Sequence, residues 1–210
     1  MLLEYSGLRI SWLGHDCFRI DNDIVIYTDP FNINGGVCAD MILITHSHFD
    51  HFSPEDIKKI SSESTIVVAP QDCRTRLKDI DLKEIRTAIS GEQIDVLGVN
   101  VKAVPAYNMD KFRSSGVPFH PRQLGGVGFV FNVGNVTFYH TGDSDFIPEM
   151  EELDVDLMFV PVSGTYVMTY VEAAKAVEKI NPKLAIPMHF GSIIGNRMDA
   201  KKFRDLAGCR

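Results

Sequence analysis

The sequence predicts an α+β protein of two packed sheets with helices on the outside, and three observations carry that expectation. Short apolar and alternating runs follow one another from Leu8 to Thr28, strand and helix patterns alternate from Met41 to Lys78, and short strands return from Ile85 onward. Strands in series, then strand–helix units, then strands again supply two sheets and external helices.

The opening meander comprises Leu8 to Leu13, Cys17 to Ile20 and Ile24 to Thr28, with Gly14 and Asp21-Asn22-Asp23 as turns. Met41 to Ile44 is a short apolar run bounded by turn signals and reads as a buried strand. Ser53 followed by Pro54, with Asp56 in the first turn, starts a helix that runs to about Ile60. A strand from Thr65 to Ala69 and a second helix around Asp72 to Lys78 continue the alternation. Ile85 to Ala88, Gln93 to Leu97 and Val99 to Val104 are strands with turns at Gly91 and Gly98. Residues 106–124 show neither period, and a long irregular segment in a compact domain is usually functional or mobile. Beyond it lie strands Phe129 to Val133 and Val136 to Tyr139, joined by a hairpin-like turn, and the apolar strand Leu157 to Pro161. Thr169 and Glu172 form a capping box for a helix to Ile180, with an apolar stripe of Val171, Ala174, Val177 and Ile180. Leu184 to Pro187 is the last strand, and Met198 to Leu206 a closing helix.

With 210 residues, 45% hydrophobic and 23% charged, the chain reads as one globular domain, residues 1–210. Its net charge of -7 offers no general attraction to phosphate backbones, so no nucleic-acid partner is expected. Cys17, Cys38, Cys73 and Cys209 include no Cys-x-x-Cys pair, which suits neither a disulfide framework nor a thiolate zinc site and makes a reduced, cytoplasmic location the expectation. Met1-Leu2-Leu3-Glu4-Tyr5 lacks a signal-peptide profile, and no apolar run nears the ~18 residues of a membrane helix, so no membrane insertion is expected. Whether the chain forms a homo-oligomer stays open.

Directly after the buried strand, Thr45-His46-Ser47-His48-Phe49-Asp50-His51 concentrates four residues that bind metal or move protons. Buried imidazoles and carboxylates are costly without partners, and a bound cation is the simplest one. His46 and His48 point to the same side of an extended backbone, whereas Asp50 and His51 need a turn to converge. His189 follows its strand as His46 follows its own, and Asp143 lies just past a strand end, where a carboxylate can bridge two cations. His15 also sits at a strand end, and Asp29 either orients a ligating histidine or caps a turn before Pro30. Lys111, Arg113 and Arg122 either hold an anionic group or form a solvated loop face.

The His-x-His-x-Asp-His pattern resembles the signature of the metallo-β-lactamase superfamily, which implies a four-layer αββα sandwich holding one or two metal ions, usually zinc, between its sheets. Trp12-Leu13-Gly14-His15, Thr28-Asp29-Pro30, Tyr139-His140-Thr141-Gly142-Asp143 and Pro187-Met188-His189-Phe190-Gly191 extend the resemblance from about Arg9 to Gly191. They are similar to the branch holding ascorbate-6-phosphate lactonase, N-acylphosphatidylethanolamine phospholipase D and uncharacterised microbial metal-dependent hydrolases. By that resemblance His46 and His48 bind one ion, Asp50, His51 and His189 bind the other, and Asp143 spans both. Related hydrolases carry a further histidine after a Pro-Ala-x sequence, but here Pro105-Ala106-Tyr107 is followed by Asn108, a weak zinc ligand. Either His120 replaces it or the first site is incomplete. His120 is favoured, and His140 is a rival that otherwise points at substrate or donates a hydrogen bond.

The cofactors implied are two divalent ions, zinc first, with Mn2+, Ni2+ or Fe2+ as alternatives. Coordination lowers the pKa of water from ~15.7 towards ~7 and polarises the substrate oxygen, so the expected reaction is hydrolysis of an ester, lactone, amide or phosphodiester of a small molecule. Asp50 would orient the nucleophile and pass its proton on, with Asp143 and His140 the other catalytic candidates and Arg113 and Arg122 the candidates for contacting substrate, should they not be a solvated loop face. The competing readings are a metal-binding or sensor domain without turnover and a nucleic-acid phosphodiesterase.

Overall fold

A computed structural model describes residues 1–208, and Cys209 lies outside them. The first sheet takes its strands in chain order: β1 (Leu2–Tyr5), β2 (Leu8–Gly14), β3 (Cys17–Asp21), β4 (Val25–Thr28), β5 (Met41–Leu43), β6 (Ile66–Ala69) and β7 (Glu84–Thr87). β1 to β4 form an antiparallel meander, and β4 to β7 run parallel. Helix α1 (Pro54–Ile60) connects β5 to β6, with the Ser53 hydroxyl accepting from the Asp56 N–H at 3.3 Å and Pro54 in the first turn.

The second sheet begins with the hairpin β8 (Gln93–Val96) and β9 (Val99–Pro105). A small separate hairpin, β10 (Phe112–Ser114) and β11 (Val117–Pro118), lies inside the segment expected to be irregular. β12 (Val127–Val133), β13 (Val136–His140), β14 (Leu157–Pro161) and β15 (Leu184–Met188) complete the sheet in the order β15-β14-β13-β12-β9-β8. α2 (Tyr170–Ile180) carries the crossover from β14 to β15 behind the expected Thr169–Glu172 capping box, and α3 (Arg197–Leu206) follows.

Alternation along the strands builds the layers. In β5, Met41 and Leu43 face a central core shared with Phe129, Phe131, Phe138 and Phe159 of the second sheet, whereas Ile42, and Ile44 just beyond the strand, face outward to Ile57 and Ile60 of α1. The outer face of the second sheet, including Tyr139, Met158 and Val160, is covered by Ala173, Val177 and Ile180 of α2 and by Phe203 of α3. The result is helix, sheet, sheet, helix, the αββα order implied by the resemblance. Burying an aromatic or branched side chain of this size contributes roughly 1.5–3 kcal/mol, which makes the sheet-to-sheet core the main source of cohesion.

Two further elements depart from expectation. β1 is a half-exposed edge strand whose four residues are too few to show a period. The helix expected around Asp72 is a seven-residue 3₁₀ segment, Gln71–Leu77, that follows Pro70 without a side-chain cap. No helix among the described residues is long and apolar enough to cross a membrane.

Candidate metal centre

The polar side chains gathered at one end of the sandwich come from loops that leave strand ends: His15 and Asp16 after β2, Asp29 after β4, His46 to His51 after β5, Asp143 after β13 and His189 after β15. The sheets are tied at this end by the Val127 N–H, which donates to the Thr45 carbonyl at 3.0 Å. Gly142 packs on that tie with φ +61°, and a Cβ there would lie 2.7 Å from the Val127 carbonyl oxygen. Only glycine lets the chain turn at that point into Asp143. His15, Asp29 and His189 also take left-handed backbone, with φ 48°, 36° and 58°, a conformation that costs a non-glycine residue roughly 1–2 kcal/mol. The strain therefore falls where the chain leaves a strand and must turn a polar side chain inward.

One set of donors comprises His46, His48, His120 and Asp143, whose ligand atoms lie within 4.8 Å of one another. His48 Nδ1 is 3.0 Å from His46 Nε2 and 3.1 Å from His120 Nε2, and Asp143 Oδ2 is 3.2 Å from His120 Nε2 and 3.8 Å from His46 Nε2. Tetrahedral zinc with bonds near 2.0–2.1 Å separates its ligand atoms by roughly 3.3 Å, so these spacings fit such an ion. The ring orientations are fixed from behind. The Thr45 hydroxyl donates to Asp29 Oδ2 at 2.6 Å and so accepts from His46 Nδ1–H at 3.0 Å, while Asn108 Oδ1 accepts from His120 N–H at 2.8 Å and Nδ1–H at 3.0 Å. Asn108 thus stands behind His120 rather than in the ligand position that the Pro-Ala-x spacing marks.

A second set surrounds His51 and His189. His51 Nε2 is 3.2 Å from Asp143 Oδ1 and 3.8 Å from Asp50 Oδ2, and His189 Nε2 is 3.3 Å from Asp143 Oδ2. His51 Nδ1–H donates to Asp29 Oδ2 at 2.8 Å, and Ser163 Oγ holds His189 Nδ1 at 2.9 Å. His15 Nε2 lies 3.1 Å from Asp50 Oδ2 and anchors that carboxylate. His51 Nε2, His189 Nε2 and Asp143 Oδ1 are buried yet make no hydrogen bond, although they approach one another closely. Donors aimed at a common point rather than at each other are what a cation requires. An alternative grouping of His15, Asp16, His51 and His189 also lies within 4.8 Å. Asp16, however, approaches His51 on its Nδ1 side, at 3.4 Å, where Asp29 already accepts, so the Nε2 side is the better cation position.

Electrostatics follow from this crowding. Burial opposes a charge on His51 and His189, but the carboxylates of Asp143 and Asp16 outweigh it, raising His51 well above the usual imidazole range and His189 to about 9. Burial would raise the Asp143 carboxyl, but His189, His51 and His120 hold it well below the usual range. Asp50 is likewise held low by the His15 hydrogen bond and by His51 against the effect of its burial. Burial, then the charge of His51, lowers His46, and burial, then His120, lowers His48. The carboxylates that draw protons onto imidazoles would equally attract a dication.

The readings of His140 as a ligand or substrate contact, and of Lys111, Arg113 and Arg122 as an anion site, need correction. His140 takes the hydrogen-bonding alternative rather than the ligand or substrate one: its Nδ1 accepts from the Gly142 N–H at 3.2 Å, and its Nε2–H donates to the Asp16 carbonyl at 3.0 Å. It is a buried strut between the two sheets. Arg122 pairs with Glu149 at 2.8 Å and lies over the Tyr107 ring, and Lys111 is spent on Asp110, Asp145 and Glu172. Arg113 stands exposed on β10, and neither arginine lines the cleft beside the donor sets. Asp16, fully buried with no hydrogen bond to either carboxylate oxygen, escaped the sequence reading, where only its adjacency to His15 could have marked it.

A match to the Beta-lactamase superfamily domain spans residues 9–189. A metal-dependent hydrolase of Thermoplasma acidophilum is 33% identical over 218 residues, covering 97% of this chain and 92% of that protein. A metal-dependent hydrolase of Carboxydothermus hydrogenoformans is 30% identical, covering 94% of this chain and 91% of that protein. Among solved structures, a Parabacteroides distasonis protein assigned as a metal-dependent hydrolase superposes with a TM-score of 0.84 at 27% identity, covering 99% of this chain and 93% of that one.

Proposed function

The chain belongs to the metallo-β-lactamase superfamily, and from that premise we propose how it acts as a metal-dependent hydrolase. His46, His48, His120 and Asp143 would hold one divalent ion, and Asp50, His51, His189 and Asp143 a second. Such ions supply an ionised water near neutral pH and polarise the carbonyl or phosphoryl oxygen of a small-molecule substrate. The chain's own residues do the rest. Asp29 keeps His51 directly, and His46 through Thr45, with their free nitrogens turned inward. Asp50, anchored by His15 and held ionised, would accept a proton from the attacking water and hand it to the leaving group. No serine or cysteine nucleophile is required; Cys17 and Cys73 are buried thiols whose pKa values burial pushes up, and the exposed Cys38 is in neither donor set.

The observation that carries this reading is the meeting of four imidazoles on one carboxylate. Asp143 lies 3.2 Å from His51 and His120, 3.3 Å from His189 and 3.8 Å from His46. The test is metal content combined with turnover of generic esters, lactones and phosphodiesters. Two tightly held ions with hydrolysis, both lost in Asp143→Ala, support the reading; one ion and no turnover would favour a binding domain instead.

A further inference from the structure

We infer that the arm of the substrate entering the cleft beside the first donor set is uncharged and apolar; this rests on the hydrolase reading above and names the substrate class of that same site. The cleft opens directly on His46, His48, His120 and Asp143, and its walls are Pro70, Ala106, Phe119, Pro121, Leu124 and Val127. Leu124 is 69% exposed at this wall, where it adds nothing to a core and presents an aliphatic surface to whatever enters. The remaining ionisable side chain of the wall is an acid, Asp72, and no lysine or arginine among the described residues lines the cleft. A second cleft, walled by Trp12, Phe31 and Phe190 beside His15, likewise has no lysine or arginine among the described residues.

Cations elsewhere nearby are already engaged. Arg76 donates to the Ser47 carbonyl at 3.4 Å and lies over the Phe52 ring, while Lys111 and Arg122 are bound to acids. An anionic arm would thus leave water to face Asp72 with no cation in the cleft wall to offset it, whereas an alkyl or aryl arm exchanges water for apolar walls. Charge on the reacting group itself is a separate matter, because that end meets the donor sets rather than the walls.

A matched substrate pair tests this on the zinc-loaded protein: p-nitrophenyl hexanoate against the mono-p-nitrophenyl ester of adipic acid, which replaces the terminal methyl by a carboxylate. We expect kcat/KM to favour the hexanoate by about tenfold or more, and Asp72→Lys to narrow the gap to about threefold or less. Equal or faster cleavage of the adipate ester by the native protein would overturn the inference. Calorimetric binding of N-hexylacetamide against its 6-sulfonated counterpart, a poor zinc ligand, reads the cleft without turnover. Tighter binding of the neutral amide with neither ester cleaved would sink ester hydrolysis and keep the inference, whereas equal or tighter binding of the sulfonate would overturn the inference whatever the turnover.

Discussion

Replacing Asn108 by alanine asks whether His120 is a ligand held in place by its neighbour. The amide accepts from His120 N–H at 2.8 Å and Nδ1–H at 3.0 Å, and donates to the Tyr166 carbonyl at 2.9 Å and to Asp145 at 3.3 Å. Four hydrogen bonds at about 0.5–1.5 kcal/mol each, partly replaced by water at the cleft side, give an expected stability loss of about 2–4 kcal/mol. The larger consequence is for metal. With its Nδ1–H unanchored, the His120 ring is free to rotate its Nε2 away from Asp143, and loss of such an orienting partner typically weakens metal affinity by about 10–100-fold. The other set keeps its supports, since His51 still rests on Asp29 and His189 on Ser163. Stepwise zinc titration against a chromophoric chelator should show the weaker binding in one step, with the other within about threefold of the native value. An unaltered pair of affinities, or equal weakening of both, would refute the reasoning.

Other perturbations follow from the same geometry. Asp29→Ala removes the acceptor of the Thr45 N–H, the Thr45 hydroxyl and His51 Nδ1–H, and should weaken both metal steps and cost about 3–5 kcal/mol in urea denaturation; weakening confined to one step would contradict the shared anchor. Metal uptake should release protons, because His189 holds one up to a pH of about 9 in the metal-free protein and must be neutral to ligate. Apparent affinity should therefore rise from pH 6 to pH 9, with proton release seen by calorimetry in buffers of different ionisation enthalpy; absence of release at pH 7 would count against His189 as a ligand. His140→Ala, which cuts the links to Asp16 and Gly142, should lower stability by about 2–4 kcal/mol while the folded protein keeps its metal; lost turnover at native stability would restore a direct role in the chemistry.

The layers were legible because strand alternation is a local property. Met41-Ile42-Leu43-Ile44 displays both of its faces in four letters, and Thr169 with Glu172 announces the start of α2. The histidine-rich loop was equally legible, since its spacing and the proline after Ser53 fix a strand, a turn and a helix start. What stayed hidden depends on three-dimensional partners. Nothing in the letters around His140 reveals that both of its ring nitrogens are taken by backbone, and nothing around Arg122 reveals Glu149. The placement of Asn108 behind His120 joins residues across an irregular loop, and no periodicity could supply that pairing. Left-handed backbone at His15, Asp29 and His189 is invisible for a similar reason: these residues do not prefer it, and the surrounding packing imposes it.

The most direct test of the central claim is anomalous diffraction from zinc-loaded crystals, collected on both sides of the zinc edge. The account predicts two peaks flanking the Asp143 carboxylate, one against His46, His48 and His120 and the other against Asp50, His51 and His189. A single peak, or peaks out of reach of Asp143, would contradict it.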